Sequence, residues 1–172
     1  MWRSFSVSQS TPSAGFVLRD RLQTSDYADK IGFKKSKHLY IAITKLQAEL
    51  KALVDNHPEW RKNAIIFTNR YIDDGLRDRA LTRDLEWGIN VPKEGYENKT
   101  IYIWAENVLG YLSASKVAAE KRNADFDELW GGNAKHYYVH GKDNIPFHTI
   151  ILPSLLLGNG ESWRLPDQIV SS

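Results

Sequence analysis

No cysteine occurs among the 172 residues, which excludes disulfides and any thiolate zinc site. No apolar run is long enough to span a bilayer, so no membrane partner is expected. Charge of either sign is scarcely in excess, with 23 Lys and Arg against 21 Asp and Glu. A net charge of +2 gives no global field for nucleic acid, and any RNA contact has to be local. There is no phosphate-loop glycine pattern. The opening MWRSFSVSQSTPSAGFVLRD is basic and serine-bearing but lacks a continuous apolar core, so a secretory leader is not expected. The cytosol is the default compartment, and an organellar presequence stays open as the alternative. The length suits one domain with a proper core.

What is present centres on Tyr137 to Gly158, YYVHGKDNIPFHTIILPSLLLG. Tyr137, Tyr138 and Val139 are β-formers leading to Gly141, and Asp143 stands where a helix N-cap belongs. Pro146 falls in the first turn. Phe147, His148, Ile151, Leu152, Leu155 and Leu156 then recur at helical spacing until Gly158. Pro153 removes one helical hydrogen bond and predicts a kink near Thr149. A strand passing through a glycine into a helix N-terminus offers unpaired N–H groups to an anionic or polar ligand. The same geometry also occurs in α/β proteins with nothing bound there. His148 likewise reads either as a site residue or as a satisfied histidine on a core helix.

Upstream, residues 1–34 show no sustained period and read as a loosely ordered arm. KHLYIAI at Lys37 to Ile43 alternates as a short half-buried strand. Thr44 can cap a helix with the stripe Leu46, Leu50, Leu53 and Val54. Asn56, His57 and Pro58 break it. A second helix starts near Pro58, carries Trp60, Ala64, Phe67, Thr68, Tyr71 and Ile72 on one face, and closes at Gly75. The result is a helical hairpin over residues 35–76.

Residues 77–172 form the second part of the domain. Asp78 to Trp87 is dense in alternating charge and reads as a solvated surface. Thr100 to Trp104 reads as a strand, and the helix from Val108 onward completes a βαβα unit through Gly158. Such a unit requires a parallel strand pair, with ligands beyond the carboxyl ends of the strands. Trp104 and Gly141 are both expected on that edge. His136 and His140 lie on one strand face, but no third ligand recurs nearby to make a metal site.

Three stretches match a known family in order. GKDNIPFHTIILPSLLLG resembles the GKDNIPFHT…P…LLG segment of methionyl-tRNA synthetases. DRALTRDLEWGINVP at Asp78 to Pro92 and IYIWAENVLGYLSASK at Ile101 to Lys116 are similar to two further motifs of that family, and the resemblance covers about Lys37 to Ser172. It implies an α/β fold, a Rossmann-like parallel sheet forming part of a class I synthetase catalytic domain, with residues 77–172 as its nucleotide-binding half. It also implies activation of methionine with ATP, accompanied by Mg2+, and transfer to tRNA. By motif position, Trp104, Val108, Tyr111, Phe147, His148 and Leu152 should line the methionine pocket. Gly141, Asp143 and Asn144 should face ATP and the adenylate. Arg83, Asp143 and His148 are the catalytic candidates, Arg83 as a bidentate partner for carboxylate or phosphate. The HIGH-type and KMSKS-type elements that bind ATP phosphates in this class do not occur in these residues. The expectation is therefore a fragment whose ligase activity belongs to an intact protein; the alternative is an inactive remnant or a module binding methionine, adenosine or a partner protein.

Overall fold

A computed structural model of the chain describes residues 36–160 and 162–172. The arm read at 1–34 lies outside the described residues. The first described strand, β1 (Tyr40–Ile41), is followed by a 3-10 turn at Ile43–Leu46 and by helix α1 (Gln47–Asp55). Helix α2 (Lys62–Asp73) comes next. The expected hairpin is present, with Leu50, Leu53 and Val54 of α1 and Ala64, Thr68 and Ile72 of α2 buried. Its second helix starts later than Pro58, because residues 58–60 form a turn that buries Trp60. Phe67, placed on the inner face by spacing, is exposed. Thr44 does not cap α1; its backbone N–H and hydroxyl both donate to Asp78 Oδ1, at 3.1 and 2.8 Å.

Two short strands, β2 (Arg79–Ala80) and β3 (Thr82–Arg83), pair antiparallel with β1 and with β4 (Thr100–Ile101) respectively. The strand read at Thr100 to Trp104 therefore exists only in its first half. At Ile103 the chain enters helix α3 (Ile103–Glu106), then a 3-10 turn at Asn107–Leu109 and helix α4 (Gly110–Arg122). The apolar run IYIW does not distinguish strand from buried helix by periodicity, and Ala105 and Glu106 are good helix formers.

The parallel pair keeps one of the two strands expected in it and replaces the other. After helix α5 (Phe126–Trp130), strand β5 (Tyr137–His140) pairs parallel with β6 (Gln168–Ser171), in register Tyr138 with Ile169 and His140 with Ser171. Strand β4 cannot take that place because both its edges are occupied. Arg83 pairs with Thr100 on one side; on the other, Asn90 bridges Thr100 and the Ile101 N–H donates to the Ile89 carbonyl at 2.8 Å.

Between β5 and β6 lies the crossover. A 3-10 turn at Lys142–Asn144 passes into a π-helical turn at Phe147–Ile151 and then helix α6 (Leu152–Asn159). The wide π turn ends two residues before Pro153, whose absent N–H would have bonded in the region of Thr149. The irregularity expected near Thr149 is thus a change of helical type. Asp143 is not an N-cap: it sits inside the 3-10 turn, whose preceding residue is Gly141, and no side chain caps it. The helix runs past Gly158 to Gly160, whose φ of +74° supplies the left-handed conformation that ends it.

The main core joins hairpin and crossover. Leu53, Val54, Trp60 and Ala64 pack with Val108, Trp130, Tyr138, Ile145, Leu152, Leu156 and Ile169. Polar ties fix the hairpin against β6. Trp60 Nε1 donates to the Asp167 carbonyl at 2.9 Å, and Ser171 Oγ donates to Asn63 Oδ1 at 3.0 Å. The Arg164 guanidinium donates to both Asp167 oxygens, Nε at 2.7 Å and Nη2 at 2.5 Å, and holds that carboxyl at about 2. Among the described residues no helix is long and apolar enough to cross a membrane.

Candidate active site at the carboxyl end of the parallel strand

Strand alternation puts Tyr138 and His140 on one face of β5, and the strand ends at Gly141. The π turn that follows brings His148 back beneath them. His148 is buried, with 4 % exposure, and both its ring nitrogens are engaged. Its Nδ1 lies 2.9 Å from the Asn144 carbonyl, and its Nε2 lies 2.8 Å from the Tyr111 hydroxyl. A carbonyl only accepts, so Nδ1 carries the proton, and Tyr111 donates to Nε2. Burial is the main cause that lowers His148 to about 4, so the ring is neutral at ordinary pH. Three rings surround it: Tyr138 at 5.3 Å, Tyr111 at 5.7 Å and His140 at 4.2 Å between centroids. Burial also pushes the Tyr138 phenol well up, so it stays protonated.

Beside this cluster Trp104 packs on Phe147 with ring centroids 5.5 Å apart. Trp104 is half exposed, and Phe147 is partly buried against the core. The two motifs therefore do meet in space. The reason is not the expected one, since Trp104 belongs to α3 and reaches Phe147 through side-chain packing.

The other expected residues separate into three groups. Val108 and Leu152 are buried members of the main core, at 3 % and 0 % exposure. Gly141, Asp143 and Asn144 are exposed on the turn after β5. Gly141 has φ −70°, and a methyl group added there would meet nothing within 4 Å, so nothing in the fold itself requires glycine. Arg83 lies on β3; its guanidinium covers the Tyr102 ring at 3.8 Å and donates through Nη1 to the Ala80 and Thr82 carbonyls at 3.1 and 2.8 Å. It thus braces the backbone leading into the helix that carries Trp104.

Sequence reasoning missed Tyr138 and His140 as neighbours of His148, and Tyr102 as the platform for Arg83. The period of two along YYVH, ending one residue before Gly141, was the available signal. His136 and His140 do not act together: His136 Nε2 donates to the Leu129 carbonyl at 2.7 Å, while His140 stacks on His148. Among the described residues no three His, Asp or Glu side chains converge as metal ligands.

Comparison with known proteins gives a consistent picture. The family described as tRNA synthetases class I (M) matches residues 22–172, further upstream than the three motifs reach. A methionine–tRNA ligase of Bacillus cereus (strain AH187) is 51 % identical over 142 residues, covering 81 % of this chain and 26 % of that protein. Methionine–tRNA ligase 1 of Alkaliphilus oremlandii (strain OhILAs) is 46 % identical over 140 residues, again 81 % of this chain and 26 % of the relative. The chain thus spans about a quarter of the length of these curated relatives. Its fold is that of the crystal structure of Mycobacterium tuberculosis methionyl-tRNA synthetase bound by methionyl-adenylate, with TM-score 0.66 and 21 % identity over 81 % of this chain and 27 % of the other. With a Rossmann-like parallel pair, a match over most of its length and relatives near half identical, the chain belongs to the class I tRNA synthetases of the M type.

Proposed function

We propose that this chain supplies the methionine pocket and the adenylate-facing turn of a methionine–tRNA ligase. The observation that carries it is the convergence of Trp104 and Tyr111 from one motif with Phe147 and His148 from another, beside the face of β5 that carries Tyr138 and His140. In the reaction a methionine carboxylate oxygen attacks the α-phosphorus of ATP, the bond to pyrophosphate breaks, and the adenylate then passes its methionyl group to the 3′ end of tRNA. This chemistry depends on positioning and charge stabilisation more than on proton transfer.

The residues of this chain contribute as follows. The faces and edges of Trp104 and Phe147 suit a polarizable thioether. The neutral His148, locked between Asn144 and Tyr111, closes the pocket without a charge that would oppose an apolar side chain. Asp143, exposed on the turn, can accept from a ribose hydroxyl or from the substrate ammonium. Gly141 and Asn144 leave the backbone beside it open to a nucleotide. Arg83 acts as a brace through Tyr102 and can extend its fork to a carboxylate or phosphate. Mg2+ would arrive on the ATP phosphates, where one or two carboxylates suffice to hold it, and Asp143 is the exposed carboxylate on the turn that could serve.

The alternative is binding of methionine or adenosine by these residues without ligation. One pair of measurements on the purified chain separates the readings: equilibrium titration with methionine, and methionine-dependent ATP–pyrophosphate exchange. Methionine binding lost in His148→Ala supports the pocket. Exchange that is abolished by both His148→Ala and Asp143→Ala assigns activation to this chain itself. A folded chain that binds no methionine overturns the proposal.

A further inference from the structure

The strand that leads into the candidate site ends in a second imidazole, that of His140. His140 stacks on His148 with ring centroids 4.2 Å apart and planes inclined by only 12°. Its Nδ1 lies 3.0 Å from the Gly141 carbonyl, which can only accept, so His140 also carries its proton on Nδ1. The same carbonyl accepts from the Asn144 N–H at 3.0 Å, and the Asn144 carbonyl accepts from His148 Nδ1 at 2.9 Å. The two stacked rings therefore hang on the first and last carbonyls of one four-residue turn. His140 Nε2 is buried and has no hydrogen-bond partner among the described residues. Ring position is thus set by the stack and by the Gly141 bond alone.

We propose that His140 is a positioning residue: it clamps the Gly141–Asn144 turn to His148, holding the Asn144 carbonyl on His148 Nδ1 and so keeping Nε2 as the acceptor of the Tyr111 hydroxyl. Its functional consequence rests on the reading of His148 as part of the methionine pocket; the clamp itself does not. The groups facing His148 are Tyr111 from α4 and Tyr138 and His140 from β5. His140 is the one imidazole among those three, so its removal alters both the cover and the electrostatics of the ring. A phenyl ring in its place would keep the cover and lose the bond to Gly141. A carboxamide on the same short stem would keep a donor near the Nδ1 position and lose the cover.

The test is 15N–1H NMR of the imidazoles in the full 172-residue chain, with His140→Asn and His140→Phe. In His140→Asn the His148 titration should move up towards its ordinary value by about one unit or more, with mixed tautomers replacing the single Nδ1–H form. In His140→Phe it should stay low, while amide exchange at residues 142–144 quickens several-fold. His148 titrating identically in wild type and His140→Asn overturns the proposal, as does unchanged exchange in His140→Phe. If His140→Asn does not fold, the His140→Phe arm decides alone. Methionine titration of the same samples distinguishes the two levels. Binding weakened in His140→Asn links the clamp to the pocket, whereas a wild-type chain that binds no methionine overturns the pocket and leaves the clamp to the NMR result.

Discussion

The Tyr111 hydroxyl donates to His148 Nε2 across 2.8 Å, joining helix α4 to the π turn after β5. Tyr111→Phe leaves that buried nitrogen without a donor. The expected cost is about 1–3 kcal/mol of stability, read as a lower urea midpoint, together with weaker methionine binding.

Acid should unfold the chain in two windows. His148 is lowered to about 4 from 6.5 by burial, so between those values the unfolded state binds the extra proton and stability rises with pH. Its contribution is complete above about pH 6.5 and is lost as pH falls through about 4, to the extent of roughly 2–3 kcal/mol. His38, lowered chiefly by burial, adds in the same sense. Asp167, held at about 2 by Arg164, contributes above 3.8 and loses that contribution as pH falls through about 2. Urea midpoints at about pH 7, 5 and 3 check this. His148→Gln should shrink the upper window to the part that His38 supplies and leave the lower one.

Gly141→Ala and Asp143→Ala should separate function from fold. The first has an ordinary φ and open space around the new methyl, and the second alters an exposed side chain. Both should change stability by no more than about 0.5 kcal/mol. Binding of a non-hydrolysable methionyl-adenylate analogue should fall about tenfold or more, the equivalent of one strong polar contact. Equal loss of stability and binding would place both residues in the fold instead.

Arg83→Lys is not conservative here. Lysine keeps the charge but cannot lie flat on Tyr102 while donating to the Ala80 and Thr82 carbonyls. A loss of about 1 kcal/mol is expected. Tyr102 and Trp104 signals should shift in NMR spectra, because the brace lies directly before the helix that carries Trp104. Leu152→Ala is the contrasting core change and should cost about 2–5 kcal/mol, since that side chain is fully enclosed.

Much of the candidate site was legible because motifs constrain which residue types stand together locally. The turn GKDN, the pair Phe147 and His148, and the companions Trp104 and Tyr111 could be named from sequence, and the structure brings the aromatic members together. Tyr138 and His140 were not legible as neighbours of His148, because their proximity depends on the π turn folding back beneath the strand. By motif position Arg83 faces a ligand; that its side chain lies on Tyr102 depends on a ring supplied by the residue between β4 and α3.

The sequence by itself determined the helical hairpin, the β5 strand and the irregularity near Thr149, because apolar spacing and proline act over a few residues. It also determined the family, through three ordered motifs. Only the tertiary structure decided which strand pairs with β5. A strand has two edges, and those of β4 are filled by Arg83 and Asn90, so the parallel place beside β5 falls to β6. Likewise only packing decided that His148 is neutral, because desolvation is a property of the surroundings and not of the residue.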